Sequence, residues 1–195
     1  MNSKGFLFGC LVFGITLFVV EGCNGRFGNR NENRYDSLFL GISFGMEKKA
    51  FFDHCWEYNR KKIFTHGPTN QNIEYRLLGE TKSSVMMRFY PSFEEEKIYE
   101  MPVTFTYEAW APWNKQFTAD SLLVDLIPVF EKWYGGELQV LDHPKMGKVY
   151  YRRDGKRRIN LFVKDDQFVQ AVFTDLSVEK KLKENKSHQN QESTN

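Results

Sequence analysis

Residues 148–164, KVYYRRDGKRRINLFVK, decide the fold that this sequence predicts. Two strand-like runs flank Asp154-Gly155, and an Asp-Gly pair between alternating hydrophobic residues is the strongest short-range signal for a β-hairpin. A third run at 167–176 carries apolar residues at alternate positions, as a half-buried strand does. Together the three runs predict an antiparallel three-stranded meander.

Two helices are predicted upstream of this meander. The first covers 46–62, where aromatic residues recur at helical spacing and predict a buried stripe. The second follows Thr118, a residue type that caps helix N-termini, and stops at Gly135-Gly136. Each helix would precede a set of strands, with its apolar face available to cover a sheet.

The remaining strand-like runs lie around the first helix. They cover residues 38–44, 73–78, 84–90 and 97–110. Each half of the chain thus predicts a helix followed by about three antiparallel strands, which suggests a structural repeat with halves 38–113 and 114–178. The predicted fold class is α+β, an antiparallel sheet with two main helices packed on it.

The composition of the chain bounds its class. Its 195 residues are the length of one domain. The 41% hydrophobic and 27% charged residues are typical of a folded globular protein and exclude collagen, a coiled coil and a polytopic membrane protein. With 27 Lys and Arg against 25 Asp and Glu, the chain is too evenly charged to indicate a nucleic-acid partner.

Residues 1–22 have the layout of an export signal. Lys4 supplies a positive start, and residues 5–20 follow without a charge. As a helix that run covers only about 24 Å, whereas a membrane span needs about 20 apolar residues and about 30 Å. The length therefore favours a signal peptide over 1–22. An uncleaved signal anchor and cleavage by the ordinary signal peptidase remain open as alternatives.

The end of this run, Val20-Glu21-Gly22-Cys23, resembles a bacterial lipobox, with an aliphatic residue three positions before a cysteine and a small residue directly before it. In proteins with that motif the cysteine thiol takes up diacylglycerol, and the chain is cut before the cysteine. The resemblance implies that Cys23 is lipidated and starts the mature chain.

A lipidated Cys23 divides the rest of the chain into three parts. Residues 23–37 are rich in Asn, Gly and Arg and predict a flexible tether between lipid and domain. A single α+β domain covers 38–178, and 179–195 predict a disordered polar tail. The implied location is the bacterial cell envelope. Asn24, where Asp would hold a lipoprotein in the inner membrane, favours the outer membrane, with the domain facing the periplasm.

A second resemblance concerns the fold. Ile42-Ser43-Phe44-Gly45-Met46, leading into a helix, is similar to the small accessory lipoproteins of the outer-membrane β-barrel assembly machinery. The order of elements is also similar to the tandem α-β repeats of β-lactamase-inhibitor-like proteins, and the whole chain resembles Bacteroidota lipoproteins. Those folds are binding modules without catalysis, so the resemblance implies a binding domain and carries over no catalytic residues.

The sequence lacks the common catalytic and cofactor motifs. It has no GxGxxG, GxxxxGK[ST], HExxH, GxSxG or CxxC, and its four histidines have no zinc-ligand spacing. We therefore expect no cofactor and no metal. Cys55 is interpreted as a small buried hydrophobe, with a catalytic thiol as the alternative. Asp165-Asp166 predict a turn, and Asp175 predicts a charge that protects a sheet edge.

Two clusters are candidates for a binding surface. Tyr107, Trp110 and Trp113 predict a platform that stacks on a sugar ring or anchors a protein partner, and the alternative is that these rings belong to the core. The second cluster is basic and surrounds the hairpin turn, where it could meet phosphate groups or an acidic partner, or keep an exposed tip soluble. It consists of Arg152, Arg153, Lys156, Arg157 and Arg158.

The leading hypothesis from the sequence is a non-catalytic, membrane-anchored envelope lipoprotein that presents its α+β domain to an envelope protein. The lipobox-like Cys23 and the lack of catalytic motifs support it. A glycan- or lipid-binding module that uses the aromatic platform is the first alternative. A hydrolase with an unrecognised site is the second.

Overall fold

A computed structural model of the chain describes residues 35–67 and 72–192. The predicted signal peptide, Cys23 and the tether up to residue 34 lie outside these ranges. The described elements are, in chain order, α1 (Lys48–Arg60), β1 (Phe64–His66), β2 (Ile73–Leu77), β3 (Val85–Phe89), β4 (Ser92–Glu94), β5 (Lys97–Tyr107), α2 (Ala119–Tyr134), β6 (Gln139–His143), β7 (Gly147–Asp154), β8 (Arg157–Val163), β9 (Val169–Asp175) and α3 (Leu176–Glu192).

The strands form one nine-stranded antiparallel sheet with the order β1-β2-β3-β5-β9-β8-β7-β6. Strand β4 stands off this path as a short hairpin partner of β5. The fold class α+β, predicted from the sequence, is confirmed. The predicted hairpin is also present, but its two-residue loop is Gly155-Lys156, because Asp154 pairs with Arg157. Gly155 has a positive φ of 55°, which suits the first position of such a loop.

The two halves of the chain have the same order of elements. They meet at the middle of the sheet. Helix α1 precedes the meander β1-β2-β3-β5, and helix α2 precedes the meander β6-β7-β8-β9. The last strands of the two halves, β5 and β9, pair with each other through contacts such as Val103 with Ala171. Each half therefore contributes four strands to this path, whereas the sequence predicted about three.

Helices α1 and α2 pack against the same face of the sheet. In α2, Leu122, Leu126 and Phe130 are buried along one stripe, and the ring of Phe130 lies 5.8 Å from Phe105 of β5 and 6.1 Å from Phe173 of β9. The Thr118 side chain accepts a hydrogen bond from the amide of Ser121, so the predicted N-cap is confirmed. The centre of the core lies under α2, where the halves join.

Residues 38–44, predicted as a strand, form a buried turn between the helices. Leu40 and Gly41 have positive φ values of 50° and 80°, which reverse the chain and are incompatible with an extended strand. The turn places Phe39 against both halves of the sheet, with its ring 5.1 Å from Phe89 and 5.6 Å from Phe173. The strand prediction was wrong because these apolar residues form a turn that inserts the Phe39 ring into the core; we call this contact the Phe39 plug.

The prediction of a disordered tail over 179–195 is wrong for the described part of that segment. Helix α3 starts at Leu176 and continues to Glu192, across the predicted domain boundary at 178. Asp175 caps it by accepting hydrogen bonds from the backbone N–H groups of Ser177 and Val178. None of the helices in the described ranges is long and apolar enough to cross a membrane.

Candidate binding groove

Three of the exposed large hydrophobic side chains line one groove between α1 and the β1 edge of the sheet. Phe52 is 45% exposed, Trp56 65% and Tyr90 39%. The groove has a volume of about 390 Å³, and Cys55 and Ile73 contribute to its wall. We call this feature the α1 groove. Contiguous exposed apolar side chains often mark an interaction site, whereas single exposed apolar residues are common on any protein surface.

Helix α1 presents two rows of aromatic residues in different directions. Phe51 is fully buried, whereas Phe52 and Trp56, four residues apart, lie on the groove side. The Phe51 ring contacts Phe52 at 5.6 Å and Tyr90 at 6.3 Å between centroids. The groove wall is therefore built on a core residue, which holds the exposed rings in place.

The far wall of the groove is the edge strand β1. Phe64 is buried in the core, and its backbone carbonyl accepts a hydrogen bond from Nδ2 of Asn59 at 3.1 Å. Thr65 and His66 lie at the rim and are exposed. The Asn59 contact fixes the short strand against the helix, so that backbone groups of a sheet edge lie beside the aromatic wall.

Cys55 acts as an apolar wall residue. Burial raises the pKa of its thiol to about 12, so the group stays protonated at neutral pH. The thiolate is the reactive form of cysteine, and this site disfavours it. The physical setting agrees with the interpretation of Cys55 as a small hydrophobe.

Of the aromatic residues that the sequence analysis assigned to a platform, Tyr107 belongs to the core. Tyr107 is buried and donates a hydrogen bond from its hydroxyl to Oδ2 of Asp125 at 2.6 Å, and burial together with that carboxylate raises its pKa. Trp110 is half-buried, with its indole N–H 3.3 Å from the carbonyl of Asp166. Trp113 is 82% exposed. The core alternative holds for Tyr107.

A separate cavity of about 470 Å³ lies beside Trp110. The carboxylate-bearing residues Asp120, Asp165 and Asp166 line it. Oδ1 of Asp165 accepts the amide N–H groups of residues 167 and 168, so the predicted turn role of that residue is confirmed. The cavity combines an aromatic ring with carboxylates, a combination suited to a sugar.

The basic cluster is tied into the protein by ion pairs. Arg157 is only 5% exposed, and its guanidinium lies 4.8 Å from the centre of the Tyr134 ring. It donates to the carbonyl of Ser37 at 2.6 Å and to Asp154 at 3.0 Å. The idea of an exposed, solubilising tip is therefore wrong for Arg157, because this residue fastens the first described residues to the hairpin.

The other basic residues of the cluster differ in their surroundings. Arg152 pairs with Asp154 at 2.7 Å, and Arg158 pairs with Glu179 of α3 at 2.9 Å. Burial alone would raise the pKa of Asp154, but the hydrogen bonds from Arg152 and Arg157 outweigh it and lower the pKa. The exposed residue of the set is Arg153. An anionic ligand would have to compete with these internal carboxylates for the remaining cations.

Lys156 joins three segments of the chain. Its ammonium forms ion pairs with Asp36, from the predicted tether, and with Asp175 of β9. Asp175 is buried, and β9 lies at the centre of the sheet, so its interpretation as an edge charge is wrong. Residues 35–37 of the predicted tether are thus held against the domain.

The histidines and carboxylates do not assemble into a metal centre within the ranges that the structure describes, where no group of three or more His, Cys, Asp or Glu could hold an ion. His143 accepts the backbone N–H groups of Lys145 and Met146 at its Nδ1, 3.3 Å from each nitrogen, and so stabilises a turn. His54 lies 2.8 Å from the carbonyl of Leu40. These contacts account for both rings structurally.

Comparison of this chain with protein families, with curated proteins and with solved structures finds no match. The α1 groove therefore has to be interpreted from its own geometry. Sequence reasoning placed its aromatic residues on one buried stripe. The signal that separates them is the pair of adjacent rows at i, i+4 spacing, Phe51 with Cys55 and Phe52 with Trp56.

Proposed function

We propose that this chain is a non-catalytic, lipid-anchored protein of the bacterial cell envelope whose α+β domain binds a protein partner through the α1 groove. The observation that carries the proposal is the set of exposed rings, Phe52, Trp56 and Tyr90, which line one groove, with Phe52 and Tyr90 in contact with the buried Phe51. Tryptophan and tyrosine are enriched among the residues that dominate binding energy in protein interfaces.

The sheet edge beside the groove supports a protein as the ligand. Strand β1 is the end strand of the sheet, and its sheet partner is β2. An extended segment of a partner can hydrogen-bond to such an edge while one of its side chains enters an adjacent apolar groove. The groove supplies contacts for side chains and the edge supplies contacts for backbone, and a peptide carries both.

The anchor in this proposal rests on the sequence. The uncharged run 5–20 and the lipobox-like Cys23 support lipidation. Residues 24–34 can span at most roughly 36 Å at about 3.3 Å per residue, so a lipid on Cys23 would hold the domain within that distance of the bilayer. In this arrangement the lipid fixes the protein at the membrane, and the groove remains available to a partner in the same compartment.

Site-specific photocrosslinking tests the groove. A photoreactive p-benzoylphenylalanine at position 56 should give a discrete adduct with one envelope protein in the bacterium that makes the chain. The same group at position 113 is the matched control, since Trp113 is also a highly exposed tryptophan but lies outside the groove. Equal adducts from both positions, or none from position 56, would contradict the proposal.

The mass of the intact protein tests the anchor. Protein purified from bacterial membranes should start at Cys23 and carry the added mass of acyl chains, and the Cys23→Ala variant should lack that mass. An unmodified chain that retains Met1 would show a signal anchor instead. That result would overturn the lipid anchor and leave the groove hypothesis to the crosslinking experiment.

A glycan-binding site beside Trp110 is a second candidate function, favoured by the carboxylates around that ring. Peptidoglycan fragments should then quench tryptophan fluorescence, and Asp120→Asn should weaken the titration without unfolding the protein. Val124→Thr, on the exposed side of the same helix, is the control. A flat titration with the unsubstituted chain would exclude this candidate.

A further inference from the structure

The α1 groove combines its aromatic rings with one carboxylate. Among the described residues that line the groove, Asp53 is the only Asp, Glu, Lys or Arg. Asp53 lies three residues before Trp56 on α1, and side chains at this spacing are neighbours on a helix surface. Both are open to solvent, since Trp56 is 65% exposed and the Asp53 side chain 66%. The groove therefore offers an aromatic ring and a negative charge side by side.

The internal partner of Asp53 is easily replaced. Nζ of Lys49, one turn earlier on the same helix, lies 2.6 Å from Oδ2 of Asp53. The Lys49 side chain is 85% exposed, and an ion pair between two solvated side chains contributes little to stability. Lys49 is not among the residues that line the groove. A cation that enters the groove can therefore share this carboxylate with Lys49 or take it over.

The other lysines of α1 contact groups outside the groove. Nζ of Lys48 lies 5.6 Å from the centre of the Phe93 ring and pairs with a carboxylate of the turn before β5. Nζ of Lys61 lies 5.6 Å from the centre of the Tyr58 ring and pairs with a carboxylate of α1 itself. Among the described residues, no lysine or arginine lies over the exposed rings of the groove in this way. Those rings are available to a cation from another molecule.

We propose that the α1 groove binds an arginine side chain on an extended segment of the protein partner. The inference deepens the proposed function and rests on it. The guanidinium stacks on the Trp56 ring and donates hydrogen bonds to the Asp53 carboxylate, and the aliphatic part of the side chain packs on the other rings. Arginine suits this site better than lysine, because its planar group both stacks on aromatic rings and forks toward a carboxylate.

Two short peptides with blocked ends test the cation. Both have the sequence Thr-Val-X-Val-Thr, where X is arginine in one and citrulline, its uncharged isostere, in the other. In NMR spectra of the full chain with nitrogen-labelled tryptophan, the arginine peptide should shift the indole signal of Trp56 and leave that of the exposed Trp113 unchanged. The citrulline peptide should bind at least about tenfold more weakly. Equal shifts by both peptides, or none by the arginine peptide, would overturn the inference.

A change of the carboxylate tests its role. Asp53→Asn should weaken binding of the arginine peptide at least about fivefold and leave the citrulline peptide unaffected. Asp142→Asn is the matched control, because Asp142 is an exposed aspartate on β6, at the opposite end of the sheet. Equal binding by the two variants would contradict the role of Asp53. A shift of the Trp56 signal by choline but not by the arginine peptide would mean that the groove takes a quaternary ammonium group, and the inference would be wrong.

The photocrosslinking experiment separates this inference from the proposed function. Mass spectrometry of the adduct formed at position 56 identifies the captured segment of the partner, which should contain an arginine. A discrete adduct on a segment without arginine would support the protein-binding role and overturn the arginine inference. Binding of the arginine peptide without any adduct from position 56 would support the arginine specificity of the groove and contradict the proposed partner.

Discussion

At the residue scale, Arg157 shows how a motif that looks like surface charge in the sequence becomes part of the interior. Its guanidinium contacts Tyr134, the Ser37 carbonyl and the Asp154 carboxylate in one buried place. Each of these groups comes from a different part of the chain. The arrangement links the first described residues to α2 and to the hairpin, and it makes the site sensitive to the loss of a single cation.

Replacing Arg157 by methionine should therefore lower the free energy of unfolding by about 3 kcal/mol, since breaking a buried ion pair by removing one partner leaves a charge without its counterpart. Arg153→Met is the matched control, because Arg153 is exposed on β7, the other strand of the same hairpin. Urea denaturation measures both. Equal, small effects for the two variants would mean that Arg157 contributes no more than a surface residue.

The acid side of the pH profile should depend on Asp154. Its folded pKa is lowered from the usual value of 3.8, so ionised Asp154 adds stability above that value and loses it as the pH falls through the folded pKa. The unfolding free energy should decline in the acid range below about 3.8. In Asp154→Asn that share of the decline should be absent, and parallel profiles for both chains would contradict the assignment.

At the element scale, the turn between β4 and β5 stores backbone strain. Glu95 and Glu96 both have positive φ, at 47° and 60°, in a two-residue hairpin loop. Asn-Gly is the pair that this geometry favours. The double change Glu95→Asn, Glu96→Gly should raise the unfolding free energy by about 1 kcal/mol, offset slightly by the exposed Lys48–Glu96 ion pair.

Thermal unfolding checks this turn, and the control is Glu94→Asn, which changes a strand residue without positive φ. The control should be neutral or destabilising. A gain in the control equal to that of the double variant would show that the effect comes from removing acidic charge. The backbone explanation would then be wrong.

Helix α3 depends on side-chain contacts at its start. Hydrogen bonds from Arg158 lower the pKa of Glu179 from 4.5, so the docking that involves Glu179 is present above that pH and is lost as the pH falls through the folded pKa. At neutral pH, Glu179→Gln should have a weaker helical circular dichroism signal than the unsubstituted chain. The helical signal of the unsubstituted chain should fall in acid, and that of Glu179→Gln should lack this fall. Glu184→Gln, further along the same helix, is the control. Retention of the decline in Glu179→Gln would contradict this role.

The sequence predicted those elements whose residues carry the signal themselves, such as a turn dipeptide or a helix cap. The hairpin at residues 154–157 was predicted from Asp154-Gly155, although its loop is Gly155-Lys156. Helix α2 was predicted from its Thr118 cap and its apolar stripe. Strand β6 was missed because its exposed residues leave no alternating pattern. Helix α3 was missed because its sequence is polar almost throughout, and its capping by Asp175 depends on where β9 ends. Both β6 and α3 therefore depend on packing against neighbouring elements, which a sequence pattern does not show.

The candidate groove could be read only in part from the sequence: the i, i+4 spacing separates Phe51 from Phe52 and Trp56, but it does not say which of the two rows is covered. The aromatic residues of α1 predict a buried helix face, and only the sheet decides which of them are covered. Phe51 meets Phe93 at 6.0 Å, while the short strand β1 leaves Phe52 and Trp56 exposed. Likewise, nothing local in the sequence distinguishes the buried Tyr107 from the exposed Trp113. Their exposure depends on long-range packing.

At the scale of the whole molecule, the two halves are similar in order but depend on each other. Helix α2 belongs to the second half, yet its Phe130 packs on Phe105 of the first half as well as on Phe173 of the second. The Phe39 plug contacts Phe89 and Phe173 in the same way. Separating the halves would expose the facing edges of β5 and β9 together with this shared core.

Two fragments, 1–113 and 114–195, should therefore each be largely unfolded when alone and should regain the native circular dichroism when mixed. The break lies in the loop before α2, so all strand pairs within each fragment are kept and β5–β9 is the pair that the separation removes. Amide dispersion in NMR spectra of the separate and mixed fragments measures the outcome. If either fragment alone gave a folded, dispersed spectrum, that half would be an autonomous domain. The β5–β9 pairing would then be an interface between domains and not the centre of one.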